Sequence, residues 1–268
     1  MTPNEGVDAD GYIVTEVSRE KVSARYEALL EDATSLLKAQ FSDTLHSVYL
    51  YGSVAMGKAV DGKSDLDLLA VFKKQVDEAE QLVVSDIAAG LSEKWRDLVR
   101  EVGIEAASVF EVLGPENAVG WGCFLKHLCV SLDGDDLSRQ FGKFRPGREV
   151  AWGLNGDLAE RLEQIEQSLR ETEDSEVTSK LCASASRRIV RVGFGLVMVE
   201  NAFWTTDLER SCELFCKRYR GQEAGMRRAL EWTEAPSSSK MQILGFLKGE
   251  FVSWLLSEFH RKVGFRGA

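Results

Sequence analysis

Short apolar runs are spaced along the first half of the chain in a pattern typical of β-strands. Runs rich in Leu, Ile, Val and aromatic residues predict strands over 47–52, 66–72 and 104–112. Residues 124–132 predict the end of a helix that runs into a fourth strand, which Asp133-Gly134 terminates. We therefore expect a β-sheet in this part of the chain.

Helical spacing of apolar residues separates these runs. One helix is predicted to begin at Ser18, as its N-cap, and to continue through a stripe ending at Leu37. A second is predicted over 77–100, with Leu82, Ile87 and Leu91 along one face.

Only helical patterns follow residue 156. The stretch 144–156 contains Pro146 and three glycines, and it is predicted to be a connection. Predicted helices then cover 157–170, 176–202, 207–219, 224–232 and 239–263. The helix over 176–202 is apolar on most of its surface, so we expect it to be central. The predicted fold class is α+β, with a sheet-containing domain over 1–150 and an all-α helical bundle domain over 155–268.

The acidic excess lies in the first part of the chain. Residues 1–150 contain 16 Lys and Arg against 26 Asp and Glu, whereas 151–268 contain 17 of each, for a net charge of −10. A negative surface repels phosphates, which argues against a long nucleic-acid groove there. The same charge suits metal ions or a cationic substrate.

Cysteine usage and hydropathy predict a cytoplasmic protein. The five cysteines are irregularly spaced, which favours reduced thiols over a disulfide frame. Cys212 and Cys216 are four residues apart on a predicted helix, and without further ligands nearby we interpret them as packing residues. No apolar run reaches about 18 residues, and the N-terminus is acidic, so neither a transmembrane helix nor a secretory signal is expected.

The stretch 48–69 carries the candidate chemistry. Gly52, after an apolar strand, allows a phosphate to approach the backbone, and the following amides and the Ser53 hydroxyl can donate to its oxygens. Asp65 and Asp67 enter the next strand two residues apart, which places both carboxylates on one face. Mg²⁺ is usually held by one or two carboxylates together with substrate phosphates, so this face is a candidate magnesium site.

This stretch resembles the signature of the DNA polymerase β nucleotidyltransferase superfamily, which is Gly-Ser, a spacer and Asp-x-Asp. The matching residues are Gly52, Ser53, Asp65 and Asp67, with Gly57 and Ser64 in the extended form. The resemblance implies a mixed β-sheet and a nucleoside triphosphate bound with Mg²⁺. It also implies a third carboxylate on a neighbouring strand, for which Glu105 is the candidate, either as general base or as ligand of a second metal ion. Glu111 would share the face of Glu105 on a regular strand, near its opposite end.

Within that superfamily, the chain is most similar to the aminoglycoside adenylyltransferases that modify streptomycin and spectinomycin. The shared features are Tyr-Gly-Ser, Ser-Asp-x-Asp-Leu-Leu, a Glu on the third strand and a C-terminal helical bundle. The resemblance implies that the helical domain contributes a triphosphate clamp, for which the candidates are Arg187, Arg191, Lys217 and Tyr219. In the first domain, Ser64 is a further candidate for nucleotide binding. The alternative for the basic residues is a solvated face. The antibiotic-contacting residues of that family do not align onto this chain.

We therefore expect an adenylyltransferase that moves AMP from ATP, with Mg²⁺, to a hydroxyl of a small cationic acceptor. One alternative is nucleotidyl transfer to RNA, including tRNA, or to a protein. It is supported by the basic residues Arg187, Arg188, Arg191, Lys217, Arg218, Arg220, Arg227 and Arg228. Another is a catalytically inactive nucleotide-binding module of the antitoxin type, which the large second domain disfavours. Trp121 and Trp204 are candidates to stack on a base or sugar.

Overall fold

The computed structural model describes residues 5–264. Within it, residues 14–143 form a unit of four strands with helices packed on them. The strands are β1 (Leu45–Tyr51), β2 (Leu66–Phe72), β3 (Val102–Ser108) and β4 (Cys129–Gly134). They lie in the order β3-β2-β1-β4, with β2 and β3 parallel and β1 antiparallel to both β2 and β4. The predicted mixed sheet is confirmed.

Helices cover both faces of this sheet. They are α1 (Glu27–Gln40), the single turn α2 (Gly52–Ala55), α3 (Glu78–Lys94), α4 (Val109–Leu113) and α5 (Ala118–Leu128). Leu29 of α1 and Leu91 of α3 pack with Leu66 and Leu68 on one face. Residues of α4 and α5 pack with Leu69 on the opposite face, which is the face that also carries Asp67.

The predicted start of the first helix was wrong, whereas its later part is confirmed by α1. Residues 19–21 and 24–26 form two short 3₁₀ turns, α1 begins at Glu27, and the Ser18 side chain caps nothing. The reason is tertiary contact with the loop after β1. The Ser18 amide donates to the Ala55 carbonyl, and a side chain at Gly57 would meet the Lys21 carbonyl oxygen at 2.8 Å.

The inner face of α3 also differs from the prediction. Leu82 is 67% exposed, whereas Val84 and Leu91 are buried and Ile87 is partly buried. Positions 84, 87 and 91 recur every three or four residues, so the stripe exists but is rotated away from Leu82.

The third strand is shorter than predicted, because it ends in a capping box. The Ser108 hydroxyl accepts the Glu111 amide at 3.1 Å, and the Glu111 carboxylate accepts the Ser108 amide at 2.7 Å. These bonds satisfy backbone donors at the start of α4 and close the strand. Glu111 is therefore a helix-capping residue and does not share a strand face with Glu105.

Residues 5–13 and 144–264 form the helical unit. Its helices are α6 (Arg148–Asn155), α7 (Leu158–Glu171), α8 (Ser175–Glu200), α9 (Leu208–Arg218), α10 (Glu223–Glu234), α11 (Lys240–Leu247) and α12 (Glu250–Val263). The sequence predicts a division at 150–155, whereas the structure divides at 143/144. The segment 5–13 belongs here because the Ile13 amide donates to the Phe144 carbonyl at 2.8 Å and the Trp204 amide donates to the Glu5 carbonyl at 3.1 Å.

Helix α8 is central, as predicted, and packs against α6, α7, α9, α10 and α12. Two glycines allow this close approach. A Cβ at Gly193 would lie 2.1 Å from Met226 Cε, and one at Gly195 would lie 3.0 Å from the Phe259 ring. The five cysteines are buried free thiols, and Cys212 and Cys216 have their sulfur atoms 3.8 Å apart. Within residues 5–264, no helix is both long and apolar enough to cross a bilayer.

Two predictions for the helical unit were wrong in detail. The predicted connection 144–156 contains α6, because Val150 and Ala151 are buried and hold that segment in the core. The predicted single helix over 239–263 is two helices. The break lies at Gly249. A Cβ at this position would lie 3.1 Å from two carbonyl oxygens, so the absence of a side chain allows the tight turn between the two helices. Ser239 caps α11 by accepting the Gln242 amide, which confirms a cap in the preceding serine run.

Candidate active site

The site is built around the carboxylate of Asp67, which lies between two glycines. In the sheet register, Asp67 on β2 pairs with Tyr51 on one side and with Gly103 on the other. Gly52 follows directly with φ of +75°, and a Cβ there would lie 2.2 Å from Asp67 Oδ2. A Cβ on Gly103 would lie 3.9 Å from Asp67 Oδ1. The space that holds this carboxylate therefore depends on the missing side chain of Gly52.

The phosphate-binding candidates lie on the loop that leaves β1. Gly52 begins the turn α2, and the half-buried Ser53 hydroxyl makes no hydrogen bond within the described part of the chain. Ser64 has a local task, because its hydroxyl oxygen accepts the Val60 amide at 2.9 Å and fixes the loop before β2. Ser53 is thus available to a ligand, whereas Ser64 supports the loop.

Glu105 shares the sheet face of Asp67. It pairs with Leu69 across the parallel β2–β3 ladder, so the pleat places it diagonally from Asp67 on the face covered by α4 and α5. Its side chain is exposed. Burial raises the pKa of the Cys129 thiol on β4, and the negative charge of Glu105 makes a smaller contribution.

Asp65 lies one residue before β2 and is engaged by a residue that the sequence did not single out. Arg100 donates from Nε to Asp65 Oδ1 at 2.9 Å and from a terminal nitrogen to Oδ2 at 2.5 Å. The sequence indicates this contact only through the position of Arg100 just before β3. Because β2 and β3 are parallel, an arginine just before β3 lies level with the residues just before β2.

The three acids fit a magnesium site in their chemistry, although the structure does not gather them into a closed cluster. Among residues 5–264, no three His, Cys, Asp or Glu side chains lie close enough together to form a metal cage. Mg²⁺ in nucleotide enzymes needs only one or two carboxylates, since phosphates and water complete its octahedron. The cradle at Gly52 and the hard oxygen donors Asp65 and Asp67 meet that requirement.

Aromatic side chains line the same face beside Asp67. Tyr51, the partner of Asp67, has its ring 5.0 Å from Phe124, and Phe124 lies 5.9 Å from Trp121. All three are half-buried. Trp204, in the helical unit, is 5% exposed, and this burial does not suit it for stacking on a base.

The nucleotide candidates of the helical unit lie on α8 and directly at the end of α9. Arg187 is half-buried, whereas Arg191 and Lys217 are exposed. The Tyr219 hydroxyl accepts a hydrogen bond from Lys262 at 2.8 Å and lies 3.5 Å from Glu200. Tyr219 is therefore part of a polar cluster within its own unit. The roles of these four residues at a nucleotide stay predictions.

Comparison with known proteins agrees with this geometry. Residues 30–104 match a family model described as "Nucleotidyltransferase domain", a stretch that includes Gly52, Ser53, Asp65 and Asp67 and ends one residue before Glu105. No curated protein matches the sequence.

Among solved structures, the chain is similar in fold to the spectinomycin adenyltransferase AAD(9) from Enterococcus faecialis, solved with ATP and spectinomycin. The TM-score is 0.53 at 12% sequence identity, and the alignment covers 87% of this chain and 98% of that chain. The chain therefore contains a match to a nucleotidyltransferase domain over residues 30–104 and shares the fold of AAD(9), and together these findings support an enzyme of the nucleotidyltransferase kind.

Proposed function

We propose that the protein transfers AMP from ATP to a hydroxyl of a small cationic acceptor, in a reaction that requires Mg²⁺. The observation that carries the proposal is the carboxylate of Asp67 held against the backbone of Gly52, at the strand end where the Ser53 hydroxyl is free of partners in the described chain. This juxtaposes a cation ligand with phosphate-binding donors.

Each residue of the site has a proposed task. Asp65 and Asp67 would hold Mg²⁺, which offsets the negative charge that develops on the α-phosphate and on the departing pyrophosphate. Ser53 and the amides of α2 donate hydrogen bonds to phosphate oxygens and orient the triphosphate. Glu105, exposed on the same face, either accepts the proton of the acceptor hydroxyl or ligates a second metal ion.

The nature of the acceptor is inferred from charge. The unit that carries the site, residues 14–143, has 22 acidic against 14 basic residues, and an acidic surface attracts amines and repels polyanions. AAD(9), which shares this fold, was solved with ATP and spectinomycin. The charge supports a cationic acceptor, and the AAD(9) complex supports ATP as donor and a small molecule as acceptor.

The arginine-rich helices support an RNA acceptor less well than their sequence suggests. The Arg218 guanidinium pairs with Glu200, Arg227 with Glu223, and Arg228 with Glu231. Arg188 lies 3.7 Å from Asp157. At least four of the eight basic residues are thus matched by acids of their own unit, which lowers the positive potential available to phosphates.

The acceptor class is tested by incubating the protein with Mg²⁺ and ATP radiolabelled at the α-phosphate. Three acceptor pools are compared: aminoglycosides, total tRNA and cell protein. We expect label in the aminoglycoside pool. Label in tRNA or protein, with none in the aminoglycosides, would reject the small-molecule acceptor and leave nucleotidyl transfer standing.

A separate measurement distinguishes the enzyme from an inactive nucleotide-binding module. We expect titration calorimetry to show binding of ATP in the presence of Mg²⁺ and turnover to pyrophosphate once an acceptor is supplied. Binding without any pyrophosphate release from any of the three pools would favour the inactive module. No binding at millimolar ATP would contradict the proposed nucleotide site itself.

A further inference from the structure

Arg100 engages the carboxylate that is expected to receive the metal ion. Its guanidinium donates to both oxygens of Asp65, at 2.9 and 2.5 Å, in the forked geometry that makes Arg–carboxylate pairs stronger than single hydrogen bonds. The side chain of Asp65 is 26% exposed and that of Arg100 is 55% exposed, so the pair lies at an accessible edge.

The backbone holds Arg100 level with Asp65. The Arg100 amide donates to the Ser64 carbonyl at 3.0 Å, and the Leu66 amide donates to the Glu101 carbonyl at 2.9 Å. These two bonds flank Asp65 and continue the β2–β3 ladder beyond its last pair. The preceding Val99 is fully buried and anchors the segment. The ion pair is therefore a consequence of sheet register.

Arg100 balances several negative charges. Its hydrogen bonds to Asp65, with further attraction from Glu101 and Asp67, raise its pKa above the usual arginine value. A divalent cation bound to Asp65 would lie within a few ångströms of this guanidinium. Two positive charges at that separation repel each other, and additional negative charge nearby would offset this repulsion.

We propose that Arg100 is a positioning residue that keeps Asp65 ion-paired in the nucleotide-free enzyme and releases it when a nucleoside triphosphate binds with the metal ion. The proposal rests on the proposed function. The triphosphate supplies negative charge that offsets the repulsion between the cation and Arg100, and its oxygens offer the released guanidinium a new partner. Arg100 thereby makes metal binding depend on nucleotide binding.

The test measures metal affinity directly. Mn²⁺, which carboxylates bind as they bind Mg²⁺, is titrated into the nucleotide-free protein and followed by the electron paramagnetic resonance of the free ion. We expect R100Q to bind Mn²⁺ about two- to fivefold more tightly than the wild type, the range that corresponds to releasing an exposed ion pair. R100K retains the charge, and we expect its affinity to stay close to that of the wild type.

The titration is repeated with an ATP analogue that cannot be cleaved between the α- and β-phosphates. The analogue should tighten Mn²⁺ binding more in the wild type than in R100Q. The matched control is R96Q, which removes an exposed arginine that pairs with Glu93, 2.8 Å away, and does not contact Asp65. R96Q should leave both Mn²⁺ affinities unchanged.

Two failures are distinguishable. If the wild type binds Mn²⁺ with the analogue but R100Q shows the same or weaker metal affinity without it, the role of Arg100 is rejected and the proposed function is untouched. If no protein binds Mn²⁺, with or without the analogue, the proposed function fails.

Discussion

Asp67 is the residue on which the proposed chemistry depends most. Its Oδ2 lies only 2.2 Å from the position that a Cβ of Gly52 would take, and its strand partner Gly103 leaves the other oxygen uncrowded. We expect D67N to lower the rate of AMP transfer about 10³-fold or more, because an amide is a weak ligand for Mg²⁺ and carries no charge to hold it. The fold should persist, since the amide has the shape of the carboxylate. Wild-type turnover by purified, folded D67N would reject the assignment.

Gly52 makes the space that Asp67 occupies. Alanine there would have to adopt a left-handed conformation at φ of +75°. Its Cβ would lie 2.2 Å from Asp67 Oδ2 and would displace that oxygen. We expect G52A to reduce transfer about 10- to 100-fold, in addition to a stability cost of about 1–2 kcal/mol. The control is G62A, with similar φ of +68° but its nearest neighbour, the Asp97 carbonyl oxygen, at 3.9 Å. Equal activity losses in both variants would attribute the effect to backbone strain alone.

His127 gives the sheet-containing unit a pH-dependent stability. Burial, and then the charges of Lys126 and Lys143, lower its pKa to about 4. Its ring nitrogen Nδ1 lies 3.0 Å from the Thr15 hydroxyl. The unfolded chain takes up this proton near pH 6.5, whereas the folded chain does so near pH 4. Stability is therefore fully present above pH 6.5 and is lost as the pH falls towards 4, by up to about 3 kcal/mol.

This dependence is measured as the unfolding midpoint at pH 7.5, 6.0 and 5.0. We expect H127Q to lose less stability than the wild type between pH 7.5 and 5.0, because glutamine does not titrate in that range. Parallel pH curves for H127Q and the wild type would contradict the expected shift.

At the scale of the elements, two side chains set the boundary at the β3–α4 junction. Ser108 and Glu111 form a reciprocal capping box, with Ser108 fully buried. We expect S108A to lower the free energy of unfolding by about 1–2 kcal/mol, because two amides of the junction lose or weaken their acceptors. In S85A the lost hydroxyl only donates to a carbonyl on the exposed face of α3, so the cost should be near zero. Equal stabilities would show that α4 does not depend on its cap.

The elements that the sequence predicts best are those with a single dominant pattern. The strand β2 has the predicted limits because its run from Leu66 to Phe72 is uninterrupted, and α8 is central as its apolar surface requires. The sequence failed where a local pattern competes with tertiary contact. The stripe after Ser18 is helical in spacing, yet contacts with the loop at Ala55 and Gly57 keep its first part irregular.

The candidate site also has residues that a local sequence pattern predicts and one residue that only tertiary structure brings into place. Gly52, Ser53, Asp65 and Asp67 lie close together in sequence, and their spacing across one turn and one strand predicts a common location. Arg100 lies 35 residues after Asp65 and reaches it only through the parallel pairing of β2 with β3. A strand order is a non-local property, so no spacing along the chain indicates this ion pair.

At the scale of the whole molecule, the two units differ in charge. Residues 14–143 carry a net charge of −8, whereas 144–264 contain 18 basic and 18 acidic residues. Because the unit that holds Asp65 and Asp67 is the acidic one, polyanions are disfavoured near the site and cations are attracted. This difference is the physical basis on which we propose a small cationic acceptor.

We expect the protein to bind total tRNA no more tightly than about 10⁻⁵ M at 150 mM salt, which is within the range of non-specific binding. Fluorescence anisotropy with labelled tRNA at 50 and 200 mM salt measures both the affinity and its salt dependence. The Michaelis constant for a cationic acceptor should rise with salt over the same range, because screening weakens attraction to the acidic unit. Nanomolar tRNA binding with a steep loss of affinity at higher salt would contradict a small cationic acceptor. It would reveal a continuous phosphate-binding surface, which we do not expect because several of the arginines are ion-paired within their own unit.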